Sequence, residues 1–385
     1  MTTTRLPSNK LLCQPLQLNQ HQLIRSSINL HTIVSLLLYL PYSNTSRISS
    51  YLINTIWSIT PHLVTQQLSN FFNSVYSSTQ QKNVLITIRW SHYCEKARFM
   101  CYLLQSTAQY AYQNKLITEQ QLMNYSYMEQ SHTAILHIPY VYYATGGRSS
   151  HAPVLVTSPD NTGRRCVKYC SVEITEYIDT QLKQLYTQCK SHIFPYKIEL
   201  IPSDPMKAQV VQQFIDTYNH TYGSNVRGYV YSALWNADNP HTVHSQVKSM
   251  FTSDISTLES TIVHYMYDYI KCIMSFGMKI NANNTAAYRH ATEQMFDIVN
   301  NLLSDGRQYI CGTDTLNAAD ITFITLSYSL ISCVQCESIR GKSDINTVGD
   351  ELMNFIHKHS DSRATKYAQH IYNQYRGGTV NTMMM

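Results

Sequence analysis

Trp90-Ser91-His92-Tyr93-Cys94-Glu95-Lys96-Ala97-Arg98 joins a short apolar, β-branched run, Val84-Leu85-Ile86-Thr87-Ile88, to a segment of helical period. The run reads as a buried strand. From Glu95 to Gln105 the spacing predicts a helix, because Ala97, Cys101 and Leu104 share one face, with Met100 beside them. Ser91 therefore falls where the N–H groups of a helix start lack intrahelical partners and the positive end of the dipole favours an anion. Two roles are open to a serine there. It caps the helix, or its hydroxyl and the helix end together hold an anionic atom such as a thiolate. Bringing a thiol from a pKa of about 8.5–9 to about 6.5–7 takes roughly 3 kcal/mol. One charge-assisted hydrogen bond of about 1.5–3 kcal/mol and a dipole contribution of about 0.3–1 kcal/mol suffice.

Outward from this junction, further strands are expected over 124–130, 154–157 and 166–169, then a helix over 171–185. The order is β-α-β-β-β-α. Residues 106–123 are left over between the first helix and second strand, and read as an extra turn or surface loop on the Ser91 side. Beyond Leu185 the pattern is helical nearly throughout, broken by Pro- and Asn-rich connections at 201–205 and 236–240. No internal repeat is evident. Four segments are expected: an N-terminal extension over 1–82, a thioredoxin-like domain over 83–185, an all-helical domain over 186–376 and a tail over 377–385.

No Asp or Glu precedes Glu95, and Arg5, Lys10, Arg25, Arg47, Lys82 and Arg89 give that opening a charge of +6. The chain's net +5 less this +6 leaves the remainder near −1. Such a body lacks the basic face of a nucleic-acid binder. Residues 1–82, rich in Ser, Asn, Gln and Leu and partly helical over 28–42, read either as a transit-like leader or as an extension with no targeting role. The first implies a mitochondrial or other organellar location, the second a cytoplasmic one. Ten scattered cysteines favour free thiols in a reducing compartment. The most apolar stretch, 33–40, is far short of the ~20 residues of a membrane span. Cys333 and Cys336, His241 and His244, and His357 and His359 lack further ligands at metal-binding spacing, and no metal is expected.

Ser91-His92-Tyr93-Cys94-Glu95-Lys96-Ala97-Arg98 resembles the first-helix motif of the glutathione transferase superfamily, nearest its serine-type branches. Ser91 stands where glutaredoxins carry the first cysteine of C-x-x-C, and Cys94 where they carry the second. Gly146-Gly147-Arg148-Ser149-Ser150-His151-Ala152-Pro153-Val154-Leu155-Val156 resembles the family's loop ending in V-P-x-L, whose proline is cis; Ala152 replaces the usual valine. Lys168-Tyr169-Cys170-Ser171-Val172-Glu173-Ile174-Thr175-Glu176-Tyr177-Ile178-Asp179 resembles the family's (E/D/Q)-S-x-x-I-x-x-Y-(I/L)-D motif, with Cys170 in place of the polar first residue. Asp305-Gly306-Arg307-Gln308-Tyr309-Ile310-Cys311-Gly312 with Leu316-Asn317-Ala318-Ala319-Asp320-Ile321 is similar to the helical domain's signature. There Asn317 is expected as N-cap and Asp320 as its reciprocal partner, a structural capping box. The segments 222–229 and 367–376 add a similarity to a bacterial-type branch, so the resemblance spans about 83–376.

The resemblance implies a thioredoxin-like half followed by a helical bundle, and a detoxifying transferase that works as a homodimer. Glutathione, the cosubstrate, binds at Ala152, Pro153, Cys170 and Ser171. Ser91 steadies its thiolate for attack on a small electrophile. Two alternatives stand beside this reading: a non-catalytic binding or scaffold protein of the same fold, and glutathione-dependent thiol transfer through Cys94.

Overall fold

Val84, Leu85 and Ile86 are wholly buried in the computed structural model of the chain. They form the centre of strand β1 (Asn83–Ile88). The structure describes residues 83–157, 165–189, 194, 196, 198–235, 240–253, 255–331 and 349–376. The expectations for 1–82, for Cys333 and Cys336 and for the tail from 377 lie outside these residues, as do the side chains of His241 and His244. The chain divides into two compact units, 82–156 with 167–385, and 1–81 with 157–166. Within the second, the Thr157 N–H donates to the Cys166 carbonyl at 2.8 Å.

β1 runs parallel to β2 (Tyr127–His132) and antiparallel to β3 (Val154–Val156), which pairs in turn with β4 (Val167–Lys168). The sheet order is β2-β1-β3-β4. Helix α1 (His92–Gln113) follows β1, α2 (Glu119–Tyr125) precedes β2, α3 (Ile138–Ala144) separates β2 from β3, and α4 (Ser171–Gln188) closes the unit. The order is thus β-α-α-β-α-β-β-α, two short helices richer than the expected β-α-β-β-β-α.

The region 106–123 is not a loop beside Ser91. Buried Thr107, Ala108 and Ala111 continue the apolar face and carry α1 to Gln113. Thr118 and Gln121 then form a capping box that starts α2. A 22-residue helix is roughly 33 Å long. The added helix therefore lies at the far end of α1 from Ser91, where a β-α-β crossover must return to begin β2.

The helical half contains α5 (Pro205–Thr217), α6 (Gly223–Trp235), α7 (Pro240–Thr252), α8 (Thr257–Gly277), α9 (Ala282–Leu302), α10 (Ala318–Ser327), α11 (Asp350–His359) and α12 (Arg363–Tyr375). A π-helical turn, Tyr218–Tyr222, links α5 to α6. Asp204 caps α5 through the Met206 N–H, and Pro205 opens it, as Pro at a first helical position should. All ten residues of α10 are buried, which makes it the core helix of this half. Its hydroxyls survive burial by donating to carbonyls one turn back: Thr322 to Ala318 at 2.6 Å, Thr325 to Ile321 at 2.6 Å, Ser327 to Phe323 at 2.9 Å. α1 packs on α4 within the thioredoxin-like half and on α10 of the helical half. The two halves therefore share one core.

Candidate active site at the sheet edge

The strand register brings the predicted site segments to one edge of the sheet. Ile86 pairs with Val154, so the loop ending in Pro153 faces the end of β1 just before Ser91. Leu155 pairs with Lys168, so the start of α4 reaches the same edge. Ile88 pairs with His132, which adds the end of β2. The Ala152–Pro153 bond is cis, as the loop motif implies. Ser171 is the first residue of α4 and is buried; Cys170, the N-cap, is exposed and its side chain makes no cap hydrogen bond.

Ser91 is the N-cap of α1. Its Oγ accepts from the Cys94 N–H at 3.4 Å, a long bond that leaves the hydroxyl proton to be donated elsewhere. The Cys94 thiol is fully buried, and its Sγ accepts from the Ile88 N–H at 3.2 Å. Burial pushes this thiol up from its ordinary pKa, against the nearby Arg98 charge. A buried thiol with a raised pKa is a poor nucleophile.

The rest of the junction motif docks α1. Arg98 pairs with Glu129 at 2.5 Å, and donates to Thr87 Oγ1 and the Ile88 carbonyl, both at 3.1 Å. The wholly buried Glu95 pairs with Arg376, which follows α12. The Tyr93 hydroxyl donates to the Asn219 carbonyl at 3.0 Å. At the end of β2, His132 Nδ1 lies 2.6 Å from Glu259 Oε1 on α8, and Glu259 Oε2 accepts from the Thr133 N–H at 3.1 Å.

A narrow cleft of about 50 Å³ opens between the junction and the helical half; Ser91 itself is not among its lining residues. Trp90 and His92, the two chain neighbours of Ser91, form one wall; Val226, Val230, Leu234 and Met250 are among the apolar residues of the others. His92 is 5% exposed, and its Nε2 has no hydrogen-bond partner. Burial, with the Arg227 charge behind it, lowers the His92 pKa to about 3, so the imidazole is neutral at ordinary pH. Arg227 lines the same cleft. None of these cleft residues was singled out individually from the sequence. The signal that could have found them is the helical spacing of Val226, Val230 and Leu234, with Arg227 and Tyr231 displaced by one position.

Asn317 and Asp320 form the expected capping box on α10. Asp320 Oδ2 accepts from the Asn317 N–H at 3.0 Å, while Oδ1 accepts from the Ile310 N–H at 2.9 Å and the Tyr367 hydroxyl at 2.7 Å. The carboxylate is wholly occupied with structure. No group of three or more His, Cys, Asp or Glu that could hold a metal ion occurs among the described residues, and His359 packs against the rings of Phe296 and Phe355. No helix among those residues is long and apolar enough to cross a membrane.

The strand order, the helix after β1 and the helical half define a thioredoxin-like unit joined to an all-α unit. No family model matches the chain, and no curated protein matches it. Solved structures of similar shape include a possible glutathione S-transferase from Rhodopseudomonas palustris, 13% identical over 77% of this chain and 95% of that one, with a TM-score of 0.40. FzlA from C. crescentus is 12% identical over 74% and 91%, at 0.38. A glutathione transferase from Pseudomonas putida with bound glutathione disulfide is 10% identical over 78% and 95%, at 0.35. These likenesses are loose, and the assignment of the fold rests on the strand order and helix contacts themselves.

Proposed function

We propose that the chain is a glutathione-dependent transferase of the serine type. Glutathione lies along the sheet edge, its backbone against the Ala152–Pro153 loop and its γ-glutamyl carboxylate at Ser171 and the start of α4. Ser91 donates a hydrogen bond to its sulfur, and the thiolate attacks a small electrophile. The observation that carries this reading is the convergence of Ser91, Pro153 and Ser171 on one sheet edge through the pairing of β1, β3 and β4. Two helix N-termini, of α1 and α4, then face one ligand, each suited to one of its anionic ends. The same reading treats 83–185 and 186–376 as the two domains, with a homodimer as the working assembly.

Ser91→Ala should fold as the parent does and lose conjugation about 10–100-fold, the equivalent of one charge-assisted hydrogen bond. Steady-state turnover of a general electrophile measures this; unchanged turnover removes Ser91 from the role. A second reading, a binding or scaffold protein without turnover, is favoured by Cys170, which offers neither carboxylate nor amide at the start of α4. Glutathione at millimolar concentration should raise the melting temperature if it binds the native state. Binding without turnover selects the second reading. Thiol transfer through Cys94 has the least support, because its thiol is buried and its pKa raised.

A further inference from the structure

Arg227 stands on α6 among the lining residues of the largely apolar cleft, its side chain exposed to solvent. An exposed guanidinium beside an apolar lining can pair with an acid on a ligand whose body enters the cleft. His92 gives a second, independent sign. Its ring is buried in the same cleft with Nε2 unpartnered, and an unmet polar atom in such a place costs about 1–3 kcal/mol until something bonds it. The neutral imidazole carries one N–H, which in the Nε2–H tautomer is a hydrogen-bond donor rather than a second positive charge. The remaining lining residues include Val226, Val230, Leu234 and Met250, which ask for a hydrophobic body.

We propose that this cleft takes an apolar electrophile bearing a carboxylate, with Arg227 pairing the acid, His92 donating a hydrogen bond to it, and the apolar wall holding the body next to Trp90 and His92, the chain neighbours of Ser91. The selection of substrate rests on the transferase reading of Ser91; the acid-binding cleft does not. The reaction is a displacement: a carbon–sulfur bond forms between the glutathione thiolate and the electrophilic carbon, the bond to the leaving group breaks, that group departs with its electron pair, and the thiol proton goes to solvent. Arg227 and His92 act on affinity and orientation, as specificity-determining residues.

The test uses the full chain with two matched electrophiles, chlorodinitrobenzene and chlorodinitrobenzoate, each releasing chloride. A third probe, dinitrobenzoate, lacks the leaving group and is used for thermal shift without glutathione. The parent should prefer the benzoate in kcat/KM, and dinitrobenzoate should raise its melting temperature. Arg227→Met should lower the benzoate-to-benzene ratio of kcat/KM by about tenfold or more, chiefly through KM, and abolish the shift. Arg227→Lys should restore part of both. His92→Phe should reduce the shift in the same direction. Equal use of both electrophiles, with Arg227→Met leaving the ratio and shift as in the parent, overturns this inference and leaves the transferase reading intact. A dinitrobenzoate shift lost in Arg227→Met, in a protein that conjugates neither electrophile, supports the acid-binding cleft and removes the transferase reading instead.

Discussion

Lys96 lies one turn into α1 with its side chain 1% exposed, and its Nζ has no hydrogen-bond partner. Burial lowers its pKa to about 7, opposed by Cys170 and Asp216. The sign of the consequence is fixed by proton counting. Below pH 7 both folded and unfolded chains hold the proton, and the cost of burying the charge is felt in full. Between about 7 and 10.5 the unfolded chain holds more protons than the folded one, so stability rises with pH. Lys96→Met should therefore stabilise the protein by about 1 kcal/mol or more at pH 6. It should also flatten the rise between pH 7 and 10, read from urea midpoints at each pH. Asp320 is the opposite case, a buried carboxylate with three donors. Asp320→Asn offers one acceptor oxygen and turns an amide N–H₂ toward a donor. The expected cost is about 2–4 kcal/mol, measured by chemical unfolding, with any loss of activity following loss of fold.

At the scale of elements, two glycines set how closely the helices approach. A Cβ on Gly223 would sit 2.2 Å from the Tyr93 hydroxyl, and one on Gly228 would sit 2.7 Å from the Tyr288 ring. The first lets the start of α6 lie against the first turn of α1; the second lets α6 lie against α9. Gly223→Ala should destabilise by about 1–3 kcal/mol by forcing Tyr93 away from the Asn219 carbonyl. Tyr93→Phe removes the atom nearest the new methyl. The pair should then cost less than the sum of the two single changes, and a double-mutant cycle in unfolding free energy reads that coupling. The junction motif belongs to this scale as much as to the site. Of its residues, Tyr93, Cys94, Glu95, Lys96, Ala97 and Arg98 are spent on the placement of α1. Ser91 and His92 are left with groups free to meet a ligand. That division was not legible from spacing, because in a helix wedged between two others every face is a packed face.

Across the whole molecule, polar ties join segments far apart in the chain. Glu95 on α1 meets Arg376 beyond α12, and His132 at the end of β2 meets Glu259 on α8. Arg376→Met leaves Glu95 buried with only Arg98, 3.5 Å away, to face it. We expect a loss of about 2–3 kcal/mol, below the usual figure for orphaning a buried charge because Arg98 remains. Thermal unfolding checks it, and Glu95→Gln in the same background should recover part of the loss.

By itself the sequence determined the succession of a strand, a capped helix, a proline-containing loop and a second helix, then a helical run with its own capping box. These features are local: apolar period, cap chemistry and turn residues act over a few positions, so each is written in adjacent residues. The same local signals misplaced 106–123, where the apolar face of α1 outlasts the expected helix end, and they missed the short α3. Only the tertiary structure decided that Ser91, Pro153 and Ser171 share one edge, since the register of β1 on β3 depends on partners such as Ile86 and Val154, far apart in the chain. It also decided that Cys94 is buried, and that His92 and Arg227 face one cleft from two halves of the chain. Burial and electrostatic surroundings come from non-local packing, and no window of sequence contains them.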